Sequence, residues 1–271
     1  MKKAQLIYLA GDLHGEWDIF NTFINSKIRQ SKKVKTYLEQ FDEVEAVILQ
    51  AGDFGYWPHK HCTTDLSRRG RTLWNQYGIK NEVPGLKDGL VKIYWCDGNH
   101  ENHDALDALE TANPSQAFHE IMPGVYFASF GSILQLLDGT RVMFCGGADS
   151  IDKDWRTPGD TWWPQEIINI QDMNRLPKPG SVSVDWVLSH TCPTCFQIEK
   201  VLGYSGKEND PSKQYLDWIF KSFSPKRWWF GHYHDYRRGE YRGCRWTLLN
   251  MCGGSSKRWN EHMLLTAAGK S

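Results

Sequence analysis

Seven side chains of metal-ligating type stand just beyond short apolar runs. Asp12 and His14 follow Leu6–Ala10, Asp53 follows Val44–Ala51, and Asn99 follows Val91–Cys96. His190 follows Val184–Ser189, and His232 and His234 follow Arg227–Phe230. Asp, His and Asn are hard-to-borderline donors, suited to Mn²⁺, Fe or Zn²⁺ more than to soft metals. Asp12-x-His14 and His232-x-His234 are i, i+2 pairs, which an extended segment would point the same way. One His after a strand is usually a loop residue, and Gly-Asp there is a common turn. The ordered set is different. Gly-Asp-x-His-Gly, Gly-Asp, Gly-Asn-His-Glu, a lone strand-end His and Gly-His-x-His have almost no structural explanation together.

Placing these groups in one crevice requires strands that end together. In open α/β sheets, ligand sites form beyond the carboxyl ends of the strands. The apolar runs are near-continuous and alternate with helical stretches, the pattern of an α/β protein with sheets buried on both faces. Trp17, Phe20, Phe23, Ile24 and Ile28 predict a helix over Glu16–Arg29. Further helices are expected over Thr64–Tyr77, His103–Thr111 and Ser212–Phe223. Val125–Ala128, Ser132–Leu137 and Arg141–Cys145 read as short strands, with an Asp138-Gly139 hairpin turn between the last two. Arg245–Met251 reads as one more. The Pro/Gly-rich piece Leu176–Ser183 is the best candidate break. The ligand set straddles it, so residues 1–271 are expected to be one domain.

Composition narrows the function classes. The 271 residues carry 32 Lys plus Arg against 32 Asp plus Glu, a formal net charge of zero. That balance excludes a globally basic nucleic-acid binder. No run approaches the ~18 apolar residues that would span a bilayer, so no membrane partner is expected. The apolar run Ala4–Ala10 meets Asp12 and His14, which makes it a strand and not a secretory leader. Seven scattered Cys suggest free thiols in a reducing compartment, hence a cytoplasmic location. Cys192-Pro-Thr-Cys195 has no companion C-x-x-C and reads as loop residues and not as a redox pair or zinc site. Oligomeric state is left open.

GDLHG (Gly11–Gly15), GDFG (Gly52–Gly55), GNHE (Gly98–Glu101), SH (Ser189–His190) and GHYH (Gly231–His234) together resemble the calcineurin-like metallophosphoesterase superfamily. The resemblance implies a two-sheet α/β sandwich flanked by helices and a phosphoester substrate. It implies two divalent ions, Mn²⁺ foremost, with Fe, Zn or Ni as alternatives. Asp12, His14 and His234 would hold one ion, Asn99, His190 and His232 the other, and Asp53 would bridge them. Such a pair clamps phosphate and lowers the pKa of a bridging water, giving a hydroxide for in-line attack. His100 matches the family's non-ligand His, as general acid or as a stabiliser of the transferring phosphoryl. Glu101 or Asp97 would orient it.

The departures shape the substrate expectation. GDLHG and GNHE are close to the Ser/Thr phosphoprotein phosphatases, whose middle motif continues Gly-Asp-x-Val-Asp-Arg-Gly. Here Gly52–Trp57 reads Gly-Asp-Phe-Gly-Tyr-Trp, without the phosphate-gripping Arg. The stretch Phe144–Glu166 resembles a bacterial and phage branch and offers Lys153 and Arg156 near Asp152. Arg156 is the candidate phosphate cation; the alternative is a solvated loop. Trp162 and Trp163 are candidate pocket walls that could stack on a base or an aryl group. Trp228 and Trp229 are expected in the core. Lys226–Arg245 holds six basic and two acidic residues, the pattern of an exposed hairpin or of a nucleic-acid surface. The expected enzyme is a general phosphatase or phosphodiesterase, with a nuclease acting on nucleic acid or a protein phosphatase as alternatives. A non-catalytic scaffold would lack ligands, and none is lacking.

Overall fold

Strands buried on both faces need cover on both, and this chain supplies it by stacking two sheets between helices. The computed structural model describes residues 1–58, 78–203, 210–253 and 258–267. The first sheet contains β1 (Lys3–Ala10), β2 (Glu43–Gln50), β3 (Val91–Trp95), β4 (Phe118–Met122), β5 (Val125–Ala128) and β12 (Asn260–Ala267), in the order β12-β1-β2-β3-β5-β4. The second contains β6 (Ile133–Gln135), β7 (Arg141–Cys145), β8 (Trp186–Ser189), β9 (Arg227–Phe230), β10 (Arg237–Tyr241) and β11 (Cys244–Leu248), in the order β10-β11-β9-β8-β7-β6. In each sheet the central strands run parallel and both edge strands antiparallel. This is the expected two-sheet α/β sandwich.

Ile7, Leu9, Val47 and Leu49 of the first sheet meet Phe144, Leu188 and Trp229 of the second in a buried layer between the sheets. The outer face of the first sheet is covered by α1 (Trp17–Phe23) and the turn that follows it. The outer face of the second packs Val187, Trp228, Phe230 and Trp246 against Leu216, Ile219 and Phe220 of α6 (Pro211–Phe223). Trp228 and Trp229 are core residues, as expected. No helix among the described residues is long and apolar enough to cross a membrane.

The single helix expected over Glu16–Arg29 is not continuous. After Phe23 the backbone widens into a π-helical segment, Ile24–Arg29. The wider turn keeps both Ile24 and Ile28 in the core under the first sheet. Helix α2 (Lys32–Gln40) escapes the apolar pattern because it buries only Val34. Helix α3 (His103–Ala112) starts where expected, with Asn102 accepting the Ala105 N–H as its cap. Short α4 (Ile170–Arg175) and α5 (Ile198–Leu202) are additions. The expected helix Thr64–Tyr77 lies outside the described residues. Leu176, in the candidate break, packs onto the core of the second sheet. The six described cysteines form no disulfide with one another, Cys192 and Cys195 included.

Trp228 ties this core to the site, because its indole N–H donates to Ser189 Oγ at 2.7 Å, one residue before His190. Trp228→Phe should cost about 1–2 kcal/mol through that hydrogen bond, and Trp228→Ala about 3–5 kcal/mol. Urea unfolding of the two variants against wild type checks the ordering.

Candidate metal centre

The candidate ligands follow the carboxyl ends of β1, β2, β3, β8 and β9, and the structure brings all seven together. Four of them sit in left-handed backbone: His14 at φ 47°, Asp53 at 51°, His232 at 70° and His234 at 49°. The chain therefore bends sharply in the turns after β1, β2 and β9. This corrects the expectation that Asp12/His14 and His232/His234 align by lying on extended segments. Left-handed residues other than Gly are strained, and such strain concentrates at functional sites.

One group of donors comprises Asp12, His14, Asp53 and His234, whose candidate ligand atoms all lie within 4.8 Å of one another. His234 Nε2 lies 3.1 Å from Asp12 Oδ2 and 3.0 Å from His14 Nε2. A second group is built on Asn99, whose Oδ1 lies 2.9 Å from His190 Nε2 and 3.1 Å from His232 Nδ1. Asp53 stands between the groups, with Oδ2 3.7 Å from His14 Nε2 and 3.4 Å from His190 Nε2. Its other oxygen, Oδ1, accepts the His100 backbone N–H at 2.8 Å, which aims Oδ2 into the site. Asp12 is fixed likewise by the His232 N–H, at 3.0 and 3.1 Å from its two oxygens.

The electrostatics favour cations. Burial by itself raises the Asp12 carboxyl, but the His234 hydrogen bond and the His190 charge bring it below its usual value. Burial opposes ionisation of Asp53 too, yet His190, His100 and His14 hold it well below the carboxylate range. Burial lowers His190, while Asp53 and Asp12 push it up to about 10. The buried carboxylates thus draw positive charge onto the surrounding rings. The oxygen-and-nitrogen donor set of Asp12, His14, Asp53 and His234 suits a hard-to-borderline divalent ion.

His100 stands beside the first group, its ring 5.4 Å from that of His14. Arg156 reaches it from the loop between β7 and β8: one guanidinium nitrogen donates to His100 Nε2 at 2.8 Å and pairs with Asp152 at 2.6 Å. The other donates to the Asn99 carbonyl at 3.0 Å. The Arg156 side chain is 5% exposed, so it is not part of a solvated loop.

Three sequence expectations need correction. The Glu101 carboxylate, expected beside His100, accepts the N–H groups of Phe54, Gly55 and Tyr56 and so shapes the loop carrying Asp53. Asp97 faces Gly146 instead. Trp163 is not a pocket wall, because it is 3% exposed and packs on Trp57 at 5.6 Å between ring centres. Trp57 in turn donates to the His100 carbonyl at 3.2 Å. Trp162 beside it is half-buried, while the exposed indole of this stretch is Trp155, at 93%. Ser150 and Glu166 were not singled out in the sequence, yet the Asn99 amide N–H donates to Ser150 Oγ at 3.0 Å and the Ser150 N–H to Glu166 at 2.7 Å. No local pattern signals this, since the three residues lie far apart in the chain.

A family model described as calcineurin-like phosphoesterase matches residues 6–236. No curated protein matches the chain significantly. The chain is similar to the solved phosphopantetheinyl hydrolase of Mycobacterium tuberculosis, at 15% identity and TM-score 0.43 over 96% of this chain and 95% of that one. It is similar to a Staphylococcus aureus protein provisionally assigned as a 5′-nucleotidase, at 14% identity and TM-score 0.45, over 97% of this chain and 51% of that one. A Thermus thermophilus protein is similar at 10% identity and TM-score 0.38, over 91% of this chain and 89% of that one.

The close packing behind the ligands can be tested at two positions. A Cβ on Gly231 would press against Asp12 Oδ1. Gly231→Ala should therefore weaken metal binding by roughly 10–100-fold, as read by calorimetric titration with Mn²⁺. His103, buried under the Gly98 carbonyl at 3.1 Å, is held neutral, and burial lowers its pKa from 6.5 to about 4. Below pH 6.5 the unfolded chain binds this proton and the folded one does not, so stability falls with pH. The loss at pH 5 should be about 2 kcal/mol. Urea unfolding at pH 7 and pH 5 should show that increment in wild type and not in His103→Gln.

Proposed function

The chain belongs to the calcineurin-like phosphoesterase family and is a hydrolase of phosphoester bonds, and from that premise we propose that it works with two divalent ions and one dedicated phosphate cation. The observation that supports the paired site best is Asp53 Oδ2, which stands 3.7 Å from His14 Nε2 and 3.4 Å from His190 Nε2, facing both donor groups. Asp12, His14 and His234 would complete one ion's protein ligands; Asn99, His190 and His232 the other's. Ions bound there supply Lewis acidity toward the phosphate and a water nucleophile of lowered pKa; Mn²⁺ suits the oxygen-and-nitrogen donors.

The chain's own residues carry the rest. Arg156 takes the place of the Arg missing after Asp53. Its guanidinium lies 2.8 Å from His100 Nε2, so a phosphate oxygen that displaces this contact meets a charged fork. His100, freed from Arg156 and protonated, gives its proton to the leaving oxygen or steadies the transferring phosphoryl. Trp57 fixes the His100 backbone from below. The substrate is a phosphomonoester or phosphodiester whose phosphate reaches Arg156.

Metal analysis after reconstitution with Mn²⁺ should plateau at two ions per chain; one ion or none would overturn the paired site. His100→Ala should keep both ions and lose ~10²–10⁴-fold in turnover, whereas Asp53→Asn should lose metal and activity together. Arg156→Ala should lower kcat/KM on an aryl phosphomonoester more than on a bis-aryl phosphodiester, because the monoester dianion leans harder on a cation. Equal losses on the two substrates would remove Arg156 from phosphate binding.

A further inference from the structure

An asparagine can serve a cation only through its oxygen, so the direction in which its amide faces decides whether it is a ligand. At Asn99 that direction is set from outside the donor group. The amide N–H donates to Ser150 Oγ at 3.0 Å, and Oδ1 is thereby turned toward His190 Nε2 at 2.9 Å and His232 Nδ1 at 3.1 Å. The opposite orientation would press the NH₂ group against both imidazoles and leave Ser150 facing a second oxygen.

Ser150 is itself held. Its backbone N–H donates to Glu166 Oε1 at 2.7 Å, which fixes the Ser150 backbone beside the amide. The Ser150 hydroxyl oxygen, held at that place, offers its lone pairs to the Asn99 N–H. The Glu166 backbone closes the same loop, since its carbonyl accepts the Ala148 N–H at 2.8 Å. Asn99, Ser150 and Glu166 are all buried. Water is therefore a poor substitute for any of these bonds.

We infer that Ser150 and Glu166 are positioning residues that fix the Asn99 amide with its oxygen toward the second ion. The inference rests on the reading that Asn99, His190 and His232 hold that ion. It adds a control element on the loop that also delivers Arg156. One loop of the second sheet thus sets both a ligand's orientation and the phosphate cation.

Calorimetric titration of metal-free protein with Mn²⁺ tests this without recourse to activity. Wild type should bind two ions. Ser150→Ala should weaken the second by roughly 10–100-fold, the usual effect of losing a partner behind a ligand, with the first unchanged. Ser150→Thr, which keeps the hydroxyl, should restore it. Glu166→Gln should weaken the second ion in the same sense, and stands in if Ser150→Ala does not fold. The decisive comparison uses Asn99→Asp, whose carboxylate has no amide to orient. In that background Ser150→Ala should have no further effect on the second ion. An undiminished second ion in both Ser150→Ala and Glu166→Gln, or the same loss in the Asn99→Asp background, would overturn the relay while the two-ion reading stands. Wild type binding one ion or none would overturn the two-ion reading, and the relay with it.

Discussion

Two carboxylates, Asp12 and Asp53, are buried where the two sheets meet at the carboxyl ends of their strands. A buried charge without compensation is strongly destabilising. Most of what surrounds them answers that constraint. Backbone N–H groups of His232 and His100 are aimed at one carboxylate each. The imidazoles of His14, His190 and His234 crowd the remaining oxygens, and His190 is drawn toward its protonated form by them. Divalent cations do the same job with more charge in less space. The donor set is therefore best understood as a charge deficit built into the seam of the sandwich.

Such a seam restricts the backbone around it. The strands end, the chain reverses through left-handed residues, and two glycines lie so close to the carboxylates that a Cβ would collide: Gly98 against Asp53 and Gly231 against Asp12. The strain needs anchoring behind it. Glu101 gathers three N–H groups of the Asp53 loop, His103 holds the Gly98 carbonyl, and Trp57, backed by Trp163, holds that of His100. These contacts hold the backbone that carries the site residues.

The guanidinium beside His100 comes from the second sheet, through Arg156, and not from the segment after Asp53. It is held by Asp152 and the Asn99 carbonyl while it faces His100. By contrast, of the basic stripe over Lys226–Arg245 only Arg237–Arg245 lies on the β10–β11 hairpin, Lys226 and Arg227 stand at the start of β9, and three of the six cations are ion-paired. Lys226 pairs with Asp185, Arg237 with Asp235 and Arg238 with Glu261.

The sequence by itself determined the residue types of the site and their order, because ligands placed one to four residues past a strand are a local pattern. It also determined most central strands, whose apolar runs are uninterrupted. It missed β4 and β12, edge strands whose pairing comes from a neighbour and not from their own pattern. It placed the π-turn inside a plain helix, since both put Ile24 and Ile28 inward. Only the tertiary structure decided that Trp163 is a support and Trp155 the exposed indole, that Glu101 belongs to the Asp53 loop, that Arg156 touches His100, and that Ser150 turns Asn99. Each of these is a contact between atoms many residues apart. Side-chain chemistry is written one residue at a time, whereas its direction is set by whichever distant group the fold packs against it.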